Sequence, residues 1–164
     1  MPDALTTIEP VATTRVAPPG VTKMPDDLRQ ELGWHRLFLL TLDAVLAVAP
    51  TPGRNANVLL SVTTYCYAAK VLSSGDIEAA TSEQWDVAYI IRGRTLTAAD
   101  VRRFRRIYRP VMEQCLQRVF LDAVRMRLTP HAFETDLDGW SRKAVEFAQH
   151  RLKLAILMDT ATAD

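Results

Sequence analysis

The amino-acid sequence predicts an all-α protein, a helical bundle with a helix-turn-helix-like basic element. Apolar residues recur along most of the chain at spacings of three, four and seven, which is the period of an amphipathic helix. Helix-starting residues precede these stretches and proline or glycine separates them, whereas no convincing run of alternating apolar and polar residues predicts a strand. With 164 residues, 48% of them hydrophobic, the chain is long enough for one domain with a substantial core.

The N-terminal part of the chain divides into an arm and a first long helix. Residues 1–22 hold several prolines among threonine, valine and alanine without an apolar period, so we expect a disordered arm. Residues 23–164 are expected to form a single helical domain. From Pro25 to Ala49 the pattern is that of one helix, with proline and acids in its first turn. The leucines that repeat along it are Leu28, Leu32, Leu39, Leu42 and Leu46.

Three helices are expected in the middle of the chain. Asn55 is a candidate cap for the stretch "NVLLSVTTYCYAAKVL", whose β-branched and aromatic residues also suit a strand but whose length without a turn signal favours a helix. Ser73 or Ser74 is expected to start the next helix, since serine side chains cap helix N-termini. A short helix is expected over Trp85 to Ile91, followed by a turn at Gly93.

The helix that follows is predicted to have one apolar and one arginine-rich face. Thr97 opens it, and Asp100 three residues later completes a capping box. The expected core face comprises Val101, Phe104, Tyr108, Val111 and Cys115, and the expected exposed face comprises Arg102, Arg103, Arg105, Arg106 and Arg109. Pro110 lacks an N–H group and is expected to kink the helix. A last amphipathic helix is expected over about 141–158, with Ser141 as its cap.

Charge is distributed unevenly along the chain. The net charge is only +1, from 20 basic and 19 acidic residues. Between Arg92 and Arg109, however, seven arginines accompany a single acid, Asp100, which gives this stretch +6 and leaves −5 for the other 13 basic and 18 acidic residues. Such a localised patch on an acidic protein is typical of a surface that binds a polyanion.

The arginine-rich segment also has the element order of a helix-turn-helix, whose second helix enters the major groove of DNA. In this interpretation the residues nearest the bases are Thr95, Thr97, Ala98, Arg102 and Arg106. The residues that contact phosphates are Arg92, Arg94, Arg103, Arg105 and Arg109. The alternative is a solvated helix face whose arginines pair with acids on neighbouring helices, although only Asp100 and Glu113 flank the cluster in sequence.

Four short motifs follow one another in residues 57–120. They consist of Leu59, Leu60, Tyr65, Tyr67 and Ala68; Ser73, Ser74, Ile77 and Glu78; Tyr89 and Gly93; and Val101, Phe104, Arg105 and Arg106. In order and spacing this region resembles the N-terminal domain of bacterial insertion-sequence DDE transposases, and residues 24–49 resemble more loosely the helical lead-in before it. The resemblance implies an α-helical module that recognises element-end DNA or helps to assemble the transposase. In that family an RNase-H-like domain with three metal-binding carboxylates follows, and because this sequence lacks its strands we expect a protein without catalytic activity.

Other chemistry is weakly indicated by the sequence. Cys66 and Cys115 lie in apolar helical patterns without metal-ligand spacing, so we expect buried free thiols in a reducing compartment. The histidines His35, His131 and His150 are scattered and no phosphate-binding glycine loop occurs, so no metal or other cofactor is expected. No secretory signal is recognisable, and the apolar run at 37–49 is shorter than the roughly 20 residues that span a membrane. We therefore expect a cytoplasmic protein with no membrane partner.

Two functions are compatible with these observations. The first is a DNA-binding protein that contacts duplex DNA through the arginine-rich helix and acts as a regulator or as a targeting subunit for a separate catalytic chain. The second is a protein–protein interaction module without DNA binding, whose helices form a homodimer or bind a partner with an acidic surface.

Overall fold

The computed structural model describes residues 23–49 and 54–162, and within these ranges the chain forms eight α-helices and no strand. The all-α prediction is therefore confirmed for this part of the chain, whereas the expected disordered arm at 1–22 lies outside the described residues. The helices are α1 (Leu28–Leu32), α2 (Trp34–Val48), α3 (Arg54–Ala68), α4 (Ser74–Glu83), α5 (Trp85–Ile91), α6 (Ala98–Arg127), α7 (Pro130–Thr135) and α8 (Leu137–Thr162).

The helix predicted from Pro25 to Ala49 is divided in two by Gly33. Asp27, rather than Pro25, begins α1, because its side chain accepts a hydrogen bond from the Gln30 amide at 3.1 Å. Gly33 has a φ of +84° and a ψ of 156°, a conformation that essentially only glycine adopts, and it stands between α1 and α2. The single-helix prediction was wrong because this one residue changes the direction of the chain.

The break at Gly33 also changes which face of α2 is buried. Leu37 and Val45 lie in the core, whereas Leu39 and Leu46 of the predicted leucine repeat are exposed. The leucine repeat assumes one uninterrupted helix. Because the chain changes direction at Gly33, the repeat predicts the wrong side of α2 to be buried.

Gly33 and Gly75 make a matched pair for a stability measurement. A Cβ added at either position meets nothing within 4 Å, so packing does not contribute to either substitution. Gly33→Ala is expected to lower the free energy of unfolding by about 1 to 3 kcal/mol because alanine is strained at this φ and ψ. Gly75→Ala, inside α4, is expected to raise it by about 0.5 to 1 kcal/mol through helix propensity. Urea denaturation measures both, and a Gly33→Ala protein as stable as the wild type would contradict the expectation.

The middle helices begin and end close to where the sequence places them. The Ser73 side chain caps α4 by accepting a hydrogen bond from the Asp76 amide at 3.0 Å. Helix α5 has the predicted bounds, and the chain leaves it through Arg92 in the left-handed conformation and Gly93 at a φ of +71°. Helix α3 begins at Arg54, so the candidate cap Asn55 lies within the helix rather than before it.

Helix α6 has the predicted capping box and the predicted kink. Thr97 accepts a hydrogen bond from the Asp100 amide, and the Asp100 carboxylate accepts one from the Thr97 amide. Pro110 cannot donate to the carbonyl four residues earlier, and Tyr108 departs from helical geometry with a φ of −110° and a ψ of 17°. Tyr108 is turned partly outward, so its assignment to the core was wrong, whereas Val111 is half-buried and packs against the core.

Helix α8 is longer than the sequence predicts and runs antiparallel to α6. It begins at Leu137, so Ser141 lies inside the helix and the predicted cap is wrong. Arg105 pairs with Asp159, and the rings of Phe120 and Phe147 lie 4.9 Å apart, which fixes the opposite directions of the two helices. Helix α6 packs against α2, α3, α4 and α8 and forms the centre of the core.

Candidate nucleic-acid interface

The outer side of the front half of α6 carries four arginines, which together are called the basic face: Arg102, Arg103, Arg106 and Arg109. The first three are exposed and Arg109 is half-buried. At about 1.5 Å of rise per residue, these four positions extend over roughly 10 Å along the helix. The structure therefore confirms a concentrated cationic surface, although it is smaller than the sequence predicts.

The helical period places the arginines of the basic face on two sides of α6. Arg102, Arg106 and Arg109 line a groove of about 280 Å³ beside α8, together with Ile156 and the largely buried Arg105. Arg103 points to the other side, where it borders a mainly apolar pocket of about 350 Å³ between α6 and α3. A ligand that contacts all four arginines must therefore cross the helix instead of entering one pocket.

Arg105 does not belong to the basic face. Its side chain is only 7% exposed, and its Nη2 forms an ion pair with the Asp159 carboxylate of α8. Its Nη1 donates to the Tyr67 hydroxyl at 3.1 Å. The prediction that Arg105 is exposed was wrong, because the residue follows Val101 by four positions and shares its buried side of the helix. The alternative of pairing with an acid on a neighbouring helix is correct for this one arginine.

Asp159 and Ser74 form a polar cluster at the edge of the basic face. Asp159 Oδ1 accepts hydrogen bonds from the Ser74 amide at 2.6 Å and from Ser74 Oγ at 2.7 Å. Burial alone would raise the pKa of Asp159, but the hydrogen bonds from Ser74 and Arg105 hold it below its ordinary value. Arg102 Nη1 donates to Ser74 Oγ at 3.0 Å, so this exposed arginine is held in place by the same cluster.

The turn between α5 and α6 adds three of the predicted site residues. Arg92, Arg94 and Thr95 are exposed there. Arg94 and Thr95 border the same apolar pocket as Arg103, so the structure brings them close to one side of the basic face. Arg92 instead borders a separate groove between α2, α3 and α5. The turn thus extends the cationic surface on the Arg103 side only.

Two acids stand at the N-terminus of α6 and bind groups of its first turn. The Ala98 amide donates to Glu78 Oε2 at 2.6 Å, and the Thr97 hydroxyl lies 2.7 Å from Asp100 Oδ2. In a helix-turn-helix this end of the second helix meets the base edges. Two carboxylates therefore stand at this end of α6, where Thr97 caps the helix and the Ala98 amide binds Glu78.

Sequence reasoning missed Asp159 and Glu78 as residues that shape the site. Each acts across a long stretch of sequence, Asp159 on Arg105 and Glu78 on Ala98. A signal for Asp159 is present in the sequence, because it is the first acid after Glu146 in an otherwise apolar and basic stretch. Glu78 belongs to the second short motif of residues 57–120, but nothing in the sequence indicates its contact with the N-terminus of α6.

The described parts of the chain show little that is typical of other kinds of site. Within them, no group of three or more histidine, cysteine, aspartate or glutamate side chains could hold a metal ion. No helix described here is both long and apolar enough to cross a membrane. Cys66 and Cys115 are free and buried, as predicted, and burial raises the pKa of each thiol to about 12.

Comparison with known proteins adds no family to this picture. No protein-family model, no curated protein and no solved structure matches the chain. The class that the geometry defines is an all-α protein with a concentrated arginine surface on one helix. The arginine surface is therefore the feature of the molecule that indicates a function.

Proposed function

We propose that this chain is a DNA-binding protein without catalytic activity, which contacts the phosphates of duplex DNA through the basic face of α6. The observation that carries the proposal is the concentration of Arg102, Arg103, Arg106 and Arg109 on one side of one helix. Asp100, the nearest acid in sequence, accepts hydrogen bonds from Thr97 as part of the cap of α6. Arginine-rich helix faces of this kind supply the electrostatic part of DNA binding.

Contacts to phosphates explain the geometry better than base readout through the N-terminus of α6. Glu78 and Asp100 stand at that end, whereas the arginines lie one to three turns further along. We propose that α5, the Gly93 turn and α6 act as a helix-turn-helix-like element that lies along the DNA backbone. Phosphate contacts provide affinity and register but carry little sequence information.

The resemblance of residues 57–120 to a transposase N-terminal domain supports DNA as the polyanion. It spans most of α3 to the middle of α6, so it includes the whole basic face. A DNA-binding module of this kind can act in the cytoplasm as a regulator or as the targeting subunit of a separate catalytic chain. We propose this role for the present chain.

Fluorescence anisotropy with a short random-sequence duplex, titrated with salt, tests the proposal. Four phosphate contacts are expected to give a slope of log K against log salt of about −4. Arg102→Gln/Arg106→Gln is expected to weaken binding and to reduce the magnitude of the slope by about 2, since each lost contact removes about 1.

The matched control is Arg36→Gln/Arg142→Gln, which removes two exposed arginines from α2 and α8 and lowers the net charge equally. This control is expected to keep the wild-type slope. Absence of binding by the wild type at low salt would overturn the proposal, and an equal loss in both double variants would show that only the net charge matters.

A second candidate function, self-association, is favoured by an exposed aromatic group. Trp85 and Tyr89 of α5 are 63% and 60% exposed and lie against Trp34 of α2 at ring-centroid distances of 4.6 and 6.2 Å. Large exposed aromatics are typical of protein interfaces. Sedimentation equilibrium tests this function: a homodimer whose mass depends on concentration, and which Trp85→Ser/Tyr89→Ser dissociates, would support it. A monomer at all concentrations would exclude it.

A further inference from the structure

Asp159 lies among groups that would also bind a phosphate. Its carboxylate accepts from a backbone amide and a hydroxyl, both of Ser74, at 2.6 and 2.7 Å, and it pairs with the buried guanidinium of Arg105. Arg102 donates to the same Ser74 hydroxyl. The Ser74 amide belongs to the first turn of the ten-residue helix α4, where the helix dipole favours an anion. The bound carboxylate shows that the cluster binds an anion.

The helix end that supplies this carboxylate is weakly packed. Ala155 is the last fully buried residue of α8, and Leu157 after it is 62% exposed. Residues 160–162 are exposed, and their hydrogen bonds among the described residues stay within α8. In the part of the chain that the structure describes, Asp159 is the only residue of 156–162 that forms hydrogen bonds with other helices. Its carboxylate accepts all of them. The Asp159 side chain therefore provides the hydrogen bonds that attach the last two turns of α8 to α4 and α6.

The fastened end closes one side of the basic face. Ile156, one turn before Asp159, lines the groove that Arg105 shares with Arg102, Arg106 and Arg109. While Asp159 is in place, Arg105 is neutralised and covered, so the basic face offers four arginines instead of five.

We propose that Ser74, Arg105 and Arg102 form a phosphate subsite at the edge of the basic face, and that Asp159 occupies this subsite as an internal competitor of DNA. The proposal rests on the proposed function of the basic face. In the closed state the protein binds DNA through four arginines. When the last two turns of α8 leave, the Ser74 amide and Arg105 become available to a phosphate oxygen, and the protein binds more tightly.

Salt titrations of Asp159→Asn with the same random-sequence duplex test the proposal. This variant keeps an acceptor for Ser74 but removes the charge that neutralises Arg105, so the slope of log K against log salt is expected to steepen by about 1. Asp159→Asn/Arg105→Met is expected to return to the wild-type slope. The control is Asp26→Asn, which adds the same unit of net charge by removing the partner of another buried arginine, Arg151.

Hydrogen exchange in the absence of DNA tests whether Asp159 holds the last two turns of α8 in place. Amide protection in residues 156–162 is expected to fall in Asp159→Asn and to be retained in Asp26→Asn. If Asp159→Asn does not fold, Ile156→Ala loosens the same turn while every charge is kept, and the same steepening is expected.

Each outcome separates this inference from the proposed function. Wild-type binding with equal slopes for Asp159→Asn and Asp26→Asn overturns the competitor role and leaves the DNA-binding proposal intact. Binding by Asp159→Asn alone overturns DNA binding by the wild type through four arginines and supports only the blocking of the subsite by Asp159. Absence of binding by every variant overturns both.

Discussion

Arg105→Met is expected to lower the free energy of unfolding by about 3 kcal/mol, because it leaves the carboxylate of Asp159 buried without its cationic partner. The side chains of both residues are only 7% exposed, so water cannot readily replace the lost ion pair. The Tyr67 hydroxyl loses its donor in the same variant. Thermal or urea denaturation measures the effect.

Arg106→Met is the matched control for Arg105→Met, since it removes the same charge one residue later. Arg106 is exposed, so its replacement is expected to change the free energy of unfolding by less than about 0.5 kcal/mol. DNA binding is expected to show the reverse order: Arg106→Met weakens it, and Arg105→Met leaves the salt slope of the closed protein unchanged. Equal stability losses in the two variants would contradict the assignment of Arg105 to the core.

Asp86→Ala is expected to lower the free energy of unfolding by about 2 to 3 kcal/mol, because it removes the acceptor of a buried polar cluster. Asp86 Oδ2 accepts from the Tyr65 hydroxyl at 2.5 Å and from Arg29 Nη1 at 3.2 Å, which ties α1, α3 and α5 together. The hydroxyl of the fully buried Tyr65 would be left without this partner. Glu83→Ala, which removes an exposed acid from α4, is the control and is expected to have little effect.

The same carboxylate makes stability depend on pH in the acidic range. Burial would raise the pKa of Asp86, but hydrogen bonds from Tyr65 and Arg29 hold it below its ordinary value of 3.8. Its contribution is therefore complete above the unfolded pKa and is lost as the pH falls through the lower, folded pKa. Denaturation at a series of pH values is expected to show a shallower acid loss in Asp86→Asn than in the wild type. Parallel curves for the two proteins would exclude a role of Asp86 in acid stability.

Much of the fold could be predicted because its signals are local. The caps at Ser73 and Thr97 each bond an amide three residues later, so a short stretch of sequence contains the whole interaction. The bounds of α5 and the kink caused by Pro110 follow from equally local chemistry. Gly33 was harder to interpret, since glycine is tolerated within helices as well as between them.

Part of the candidate site could not be predicted because it depends on distant contacts. Arg105 meets an acid 54 positions away in sequence, and Ala98 meets Glu78 across the space between α6 and α4. Which arginines remain exposed is decided by these tertiary contacts, whereas sequence periodicity alone counted all five on α6 as solvent-facing. Tertiary packing likewise leaves the large aromatic side chain of Trp85 on the surface.

The kink at Tyr108 divides α6 into two halves whose axes point in different directions. Both halves contribute to the core, the rear half from Met112 to Val124 and the front half through Val101 and Phe104, but the front half also carries the basic face. Two contacts from other helices hold the front half in place. Asp159 of α8 pairs with Arg105, and Glu78 of α4 accepts a hydrogen bond from the Ala98 amide. The kink and these two contacts therefore set the angle at which the row of arginines meets a ligand.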